Sequence, residues 1–292
     1  MNDYQAALAW IAALDARAHH VDLAMPQGGT MRWRRFGAGA PLLLIHGGHG
    51  SWLHWARNIE ALARQRTVWV PDLPGFGASD PVGGAGGMDD LLSALHGTLV
   101  ELIGAHTPLE VAAFSFGTVV ALRLATRHPV SRLALLGAAG HGGARRPFGT
   151  MINWRECVEV EERRAALAHN LRAFMLHDPA AADGLALAVY ELSCVNTRFR
   201  SKEVSLAAAL PAMLHALGGI PVLGLWGGED VTLAAPHEVA RRIGAGLPNA
   251  HWHLAPHAGH WVQYEQAQAV NAALNGWFEH GNVPDRLPAL VD

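Results

Sequence analysis

The feature that most narrows the fold of this chain is a series of short apolar runs, each ending on small or polar residues. Leu42 to Ile45 runs into His46-Gly47-Gly48, Thr67 to Val70 into Pro71-Asp72, and Leu109 to Ala113 leads through Phe114 to Ser115; Val130 to Gly137 is a fourth. The runs are continuous rather than alternating, as expected of strands buried on both faces of a parallel sheet. Between them, Trp55 to Arg64, Met88 to Gly104 and Thr118 to Thr126 read as helices, with apolar residues recurring at helical spacing. Strand alternating with helix is the doubly wound α/β pattern. The alternation stops after residue 140. Helical stretches alone follow, near 155–176, 179–193 and 202–216, before strands resume at Pro221 to Trp226 and Ala250 to Leu254 and a last helix runs from Glu265 to His280.

The expected organisation is therefore an α/β core over 25–140 and 217–281, interrupted by a helical lid over 141–216. Residues 1–24 are expected to be an N-terminal helical extension, with a helix near 3–18 and Asp3 as its cap. Met25 to Gly37 reads as a strand pair, and 282–292 as a loosely held tail.

Composition excludes several other classes. Of 292 residues, 50% are apolar and only 16% charged, which suits a large core and rules out a disordered or coiled-coil chain. Lys plus Arg number 22 against 25 Asp plus Glu, for a net charge of -3. No concentrated basic patch is written for phosphates, so no nucleic-acid partner is expected. No apolar stretch is long enough to span a membrane. The opening MNDYQAALAW lacks a basic segment followed by an apolar run, so no secretory signal is expected. Cys157 and Cys194 can pair but outline no disulfide framework, and a reducing, cytoplasmic setting is expected. A small organic substrate is the expected partner; a homo-oligomer is left open.

The chemistry starts at Ala113-Phe114-Ser115-Phe116-Gly117, a serine set between an apolar strand and an apolar helix. Small flanking residues permit the sharp turn that lifts a serine hydroxyl clear of the backbone; the G-x-S-x-G pattern is met with Ala113 in place of the first glycine. On its own Ser115 is also a helix cap. Its place at the end of a parallel strand, where open α/β sheets hold their ligands, favours a nucleophile. The glycine-rich His46-Gly47-Gly48-His49-Gly50 follows an earlier strand. It lacks the lysine of a phosphate-binding loop, and His46 and His49 have no third close ligand for a metal. Beside a serine turn it suits an oxyanion hole, formed by the N–H groups of Gly48 and Phe116.

A serine needs a base, and the base an orienting carboxylate. His260, in Pro256-His-Ala-Gly-His260-Trp261, is the preferred base and His257 its rival. Asp230, in Trp226-Gly-Gly-Glu229-Asp230, is the preferred carboxylate and Glu229 its rival. The order Ser, Asp, His is that of the α/β hydrolases.

With these residues assembled, the chain resembles the α/β-hydrolase superfamily over about residues 25–280. The resemblance also takes in Pro71-Asp72-Leu-Pro-Gly-Phe-Gly-Ala-Ser79-Asp80, where Asp72 is expected to be structural. It implies an α/β-hydrolase fold with a mostly parallel sheet and a helical lid, a Ser115-His260-Asp230 triad, and no cofactor or metal. Serine rather than aspartate at the turn separates the chain from haloalkane dehalogenases and epoxide hydrolases. It is most similar to the meta-cleavage product hydrolases, which hydrolyse a carbon–carbon bond in 2-hydroxy-6-oxo-dienoate ring-fission products. That likeness rests on Gly259-His260-Trp261-x-Gln263-x-Glu265, on the lid, and on Asn196-Thr-Arg198-Phe-Arg200-Ser, where the family keeps an arginine for its anionic substrate. By that resemblance Arg198 or Arg200 binds the anion. Phe114 stands where those enzymes commonly carry Asn, and suits an aromatic or alkyl ester equally. Carboxylesterase or lactonase activity is the alternative, and a non-catalytic hydrolase-like binding protein the alternative of another class. Trp52, Phe114, Phe116, Phe148, Trp154 and Trp261 are expected as pocket walls, with Gly47 close to the substrate.

Overall fold

The computed structural model describes residues 2–84 and 86–282. One sheet contains β1 (His19–Ala24), β2 (Thr30–Phe36), β3 (Ala40–Ile45), β4 (Arg66–Pro71), β5 (Leu109–Phe114), β6 (Val130–Leu136), β7 (Val222–Gly227) and β8 (Ala250–Ala255), in the order β1-β2-β4-β3-β5-β6-β7-β8. β1 and β2 form an antiparallel hairpin, β2 also pairs antiparallel with β4, and the remaining pairings are parallel. The sheet explains its own sequence: β7 is buried at every residue and β5 at all but one, whereas the edge strand β1 is mostly exposed.

The helices are α1 (Asn2–Asp15), α2 (Ile59–Leu62), α3 (Met88–Ile103), α4 (Phe116–Ala125), α5 (Val160–Asn170), α6 (Gly184–Val195), α7 (Lys202–Leu206), α8 (Leu210–Ala216), α9 (Pro236–Gly244), α10 (Val262–Glu265) and α11 (Ala267–His280). They cover both faces of the sheet. One core layer joins α1, α2, α6 and α11 to the sheet, and the other joins α3, α4, α8 and α9. The helix behind the serine, α4, is buried on nearly all sides, as its unbroken apolar run requires.

The chain visits β3, steps outward to β4, then crosses back to β5, so β3 lies between β4 and β5. Ile45 pairs with Ala113 and Phe114 with Leu136. The loops after β3 and β5 therefore emerge side by side, with those after β6, β7 and β8 next in line. Such an edge, where the strand order turns, is where α/β sheets bind ligands.

Some boundaries differ from expectation. Residues 19–24 are strand β1, part of the sheet, and the hairpin spans 19–36 rather than starting at Met25. The mixed sequence HHVDLA hid it, because an exposed edge strand needs no apolar pattern. Asp3 lies in the first turn of α1 instead of capping it. α1 also docks on the lid: Ala7, Ile11 and Leu14 are buried, and the Tyr4 hydroxyl donates to Glu191 Oε2 of α6 at 2.7 Å. At its other end Asp15 accepts from Arg34. The long helix expected at 155–176 is α5 followed by a wider turn at Leu171–Met175, and α9 was not anticipated. The expected tail falls almost wholly outside the described residues.

Candidate active site

Ser115 closes β5 at φ 52°, ψ -118°. A non-glycine residue holds such a conformation only where its surroundings enforce it. The Ser115 N–H donates to Leu136 O at 2.9 Å, and Thr118 donates to Ser115 O through its N–H at 2.9 Å and its hydroxyl at 2.6 Å. Gly117 has no alternative, because a Cβ there would lie 2.5 Å from His46 O.

The Ser115 hydroxyl lies 3.0 Å from His260 Nε2, and His260 Nδ1 lies 2.9 Å from Asp230 Oδ2. Asp230 is fully buried, and its Oδ1 accepts from the Thr232 N–H and hydroxyl at 2.8 and 2.7 Å. Burial alone would raise the Asp230 pKa, but His260 and the Thr232 donors outweigh it and hold the carboxyl below its ordinary value. With Asp230 ionised, the His260 proton sits on Nδ1 and Nε2 faces the serine as an acceptor. The rival residues have other surroundings. Glu229 pairs with Arg146, whose guanidinium also donates to Gly228 O and Leu233 O. His257 is exposed on its loop.

The loop after β3 is built around two neutral imidazoles. His46 accepts the Leu73 N–H on Nε2 at 3.0 Å and donates from Nδ1 to Gly47 O at 2.8 Å. His54, which the sequence reading passed over, accepts the Gly47 N–H on Nδ1 at 3.2 Å and packs its ring against Phe114 and Trp261. Burial lowers both histidine pKa values, that of His54 strongly. The amide of Gly47 is thus engaged. Those of Gly48 and Phe116 have no hydrogen-bond acceptor among the described residues; Phe116 opens α4, where no intrahelical acceptor exists. A Cβ added to Gly48 would lie 3.6 Å from Phe116 Cβ and 2.4 Å from Ser201 Oγ, so this glycine sits close between the serine turn and the lid, and a side chain there would displace the Ser201 hydroxyl.

Asp72 holds the frame beneath. It accepts from Arg34 at 3.0 Å, the Trp52 N–H at 2.9 Å and the Ala78 N–H at 3.0 Å, and is buried. Glu265 ties floor to lid: its carboxylate accepts the N–H groups of His177 and Asp178 at 2.8 Å and that of Gly259 beside His260. The closing glutamate of the Gly259-to-Glu265 motif is thus a fastening.

Above Ser115 lies a cavity of about 390 Å³. Gly48, Phe114, Ser115 and His260 line its floor, and Phe148, Trp154 and Phe174 its lid side. Arg145, Arg155 and Lys202 also line it, while Asp and Glu are absent from its lining. Among the described residues none of these three cations makes an ion pair. The Arg155 guanidinium stacks 4.3 Å from the Trp154 ring centre.

Other expected wall residues lie elsewhere. Trp261 is fully buried, with its indole N–H on His54 O at 3.0 Å; Trp52 packs under Arg34; the Phe116 ring joins Phe76 and Phe199; and Gly47 sits behind Phe114. Arg198 and Arg200 do not reach the cavity. Both border a separate surface depression beside Pro74 and Gly75. The Arg198 guanidinium donates to Ser79 O and its N–H to Gly75 O at 2.8 Å, because the 71–80 turn presents unpaired carbonyls that capture it first.

A profile of the alpha/beta hydrolase fold matches residues 40–267. The chain belongs to the α/β-hydrolase fold family. It is 31% identical over 250 residues to the 2-hydroxy-6-oxononadienedioate/2-hydroxy-6-oxononatrienedioate hydrolase of Cupriavidus pinatubonensis, covering 80% of this chain and 86% of that one. It is 32% identical over 263 residues to the dihydrolipoyllysine-residue acetyltransferase component of the acetoin cleaving system of Pseudomonas putida, covering 85% of this chain but 66% of the relative. Among solved structures, a meta-cleavage product hydrolase from Pseudomonas fluorescens superposes with a TM-score of 0.70 at 24% identity, covering 90% of this chain and 98% of that chain. This α/β hydrolase is an enzyme of the serine-hydrolase type and resembles the meta-cleavage product hydrolases. Among its described residues no helix is long and apolar enough to cross a membrane.

Proposed function

We propose that this α/β hydrolase cleaves the carbon–carbon bond of anionic 2-hydroxy-6-oxo-dienoate-type ring-fission products, with Ser115 as nucleophile, His260 as base and Asp230 as its orienting carboxylate. The observation that carries the reading is the cavity itself. A serine hydroxyl in line with an imidazole forms its floor, and its walls carry Arg145, Arg155 and Lys202, which make no ion pair among the described residues, and no carboxylate. The relative that acts on 2-hydroxy-6-oxononadienedioate supports the substrate class.

His260 moves a proton during ketonisation of the dienol. It then takes the Ser115 proton as Oγ attacks the carbonyl, and the oxyanion settles on the Gly48 and Phe116 amides. His260 returns the proton to the departing fragment, the bond between that fragment and the carbonyl carbon breaks, and water releases the acid from Ser115 by the same route. Arg145, Arg155 and Lys202 take the place intended for Arg198 or Arg200, since a guanidinium binds a carboxylate through paired hydrogen bonds. Cys157 and Cys194, both free thiols, suit a reducing cytoplasm.

The test sets ring-fission dienols, followed by loss of their visible absorbance, against short and long p-nitrophenyl esters, with Ser115→Ala as control. Rapid dienol loss with weak ester turnover is expected. Strong ester turnover without dienol loss would replace this reading with a carboxylesterase or lactonase.

A further inference from the structure

Besides His260, the imidazoles of His49 and His141 line the cavity, and the mechanism above uses neither; His141 is the one on the His260 side. After β6 the chain enters the lid through Gly137-Ala-Ala-Gly140-His141-Gly142-Gly143. Gly137 is at φ 52°, and a Cβ there would lie 3.2 Å from His260 Cε1, so this segment runs against the His260 side of the site. His141 is 7% exposed and lines the cavity, as does Thr232, which holds Asp230.

The tautomer of His141 is set by its neighbours. Nδ1 accepts the Gly143 N–H at 2.9 Å, which places the proton on Nε2. The ring stands edge-on to Trp226, with centres 6.5 Å apart, and its backbone carbonyl accepts from Arg242. Asp230, His260, Arg145 and Arg242 are the charged and titratable groups around it. Burial, the largest influence, keeps the imidazole neutral, with Arg145, Arg242 and His260 acting in the same direction and Asp230 against it. The Nε2–H has no acceptor among the described residues, yet it is not among the polar atoms sealed inside the protein. It is a fixed, uncharged donor open to the cavity.

In acyl transfer the histidine that protonates the departing fragment must lie beside it. His141 shares that wall, while the oxyanion amides lie on the Gly48 side. We propose that the His141 Nε2–H binds a carbonyl or enolate oxygen of the departing fragment, making this hydrolase selective for substrates whose leaving group carries an oxygen acceptor beyond the scissile bond. The inference rests on the Ser115-His260-Asp230 reading but not on which bond is cut.

The experiment compares two benzoate esters that share an acyl group: the 2-oxopropyl ester, whose leaving alcohol carries a neutral carbonyl, and the propyl ester, which has none. Because both are uncharged, the cavity cations do not decide between them. The measured quantity is the ratio of their kcat/KM values. His141→Phe is expected to lower this ratio about tenfold, the size of one hydrogen bond, while His141→Gln, which keeps an N–H donor, restores most of it. The dienol is expected to lose kcat in the Phe variant by a similar factor. Melting temperatures show whether each variant is folded. An unchanged ratio in folded His141→Phe overturns the proposal, as does an equal loss on both esters. If the wild type turns over none of these substrates and a fluorophosphonate fails to label Ser115, the hydrolase reading itself is lost and this inference with it.

Discussion

The floor and the roof of the cavity are built on opposite terms. The floor and the frame beneath it come from residues that follow β3, β4, β5, β7 and β8. Their buried ionisable groups are occupied: Asp230 by His260 and Thr232, Asp72 by Arg34 and two backbone amides, and His46 and His54 by the loop they support. The roof enters through 138–153, which has no helix or strand, and it leaves Phe148, Met151, Ile152 and Leu206 exposed alongside cations that make no ion pair among the described residues. The difference teaches where each property resides. Reaction geometry follows from sheet topology and a satisfied polar frame, whereas the choice of substrate is left to a lid that can change without disturbing that frame.

This contrast can be broken most severely at the nucleophile. Ser115→Ala is expected to lower turnover by about 10⁴-fold or more, with calorimetry showing an almost unchanged melting temperature. A loss confined to tenfold would mean that the floor does not hold the nucleophile. Next is the frame: Asp72→Ala strips Arg34 of a buried partner and leaves two amides without an acceptor. A cost of about 3–5 kcal/mol is expected from breaking such a pair, read from urea unfolding.

The histidines under the floor give the contrast a pH signature. Burial depresses the pKa of His46 and His54 below the unfolded value. Between the folded and unfolded values the unfolded chain therefore binds more protons. The stability is fully present above about pH 6.5 and falls as pH drops, by up to about 1.4 kcal/mol per pH unit for each histidine. Unfolding curves at pH 7.5, 6.5 and 5.5 test this, and a flat profile would contradict neutral imidazoles. The roof should give the smallest response. Arg155→Gln is expected to raise KM for an anionic dienol about fivefold, with the gap narrowing in added salt. Arg198→Gln is expected to leave that KM alone and to lower the melting temperature, because its guanidinium fastens the 71–80 turn.

The floor was legible in the sequence because each of its parts is local. A strand running into Ala113-Phe114-Ser115-Phe116-Gly117, a glycine pair after another strand, and an acid and a histidine after two later strands need only the rule that parallel strands end at one edge. Asp230 was separable from Glu229, and His260 from His257, only by preference; the structure shows what the rivals do instead, Glu229 pairing with Arg146 and His257 facing solvent. The roof was not legible in the same way. Its extent between the strands could be read, but which side chains turn inward depends on tertiary competition: Arg198 meets the carbonyls of the 71–80 turn, while Arg155 stacks on the face of Trp154 at the cavity. Trp261 was expected at the substrate and lies in the core, since an aromatic residue beside a catalytic histidine reads alike in either position. His54 and His141 escaped notice among 18 histidines because their roles depend on backbone amides brought to them by folding.

The helix α1 runs between these two regions like a splint, gripping the lid through Tyr4 and Glu191 and reaching the Asp72 frame through Asp15 and Arg34. Engineering at this end of the enzyme is therefore not neutral ground: a fusion partner or a proline placed in α1 would retune substrate preference from outside the cavity. Selectivity measured on differently tagged preparations should be compared only when this helix is intact.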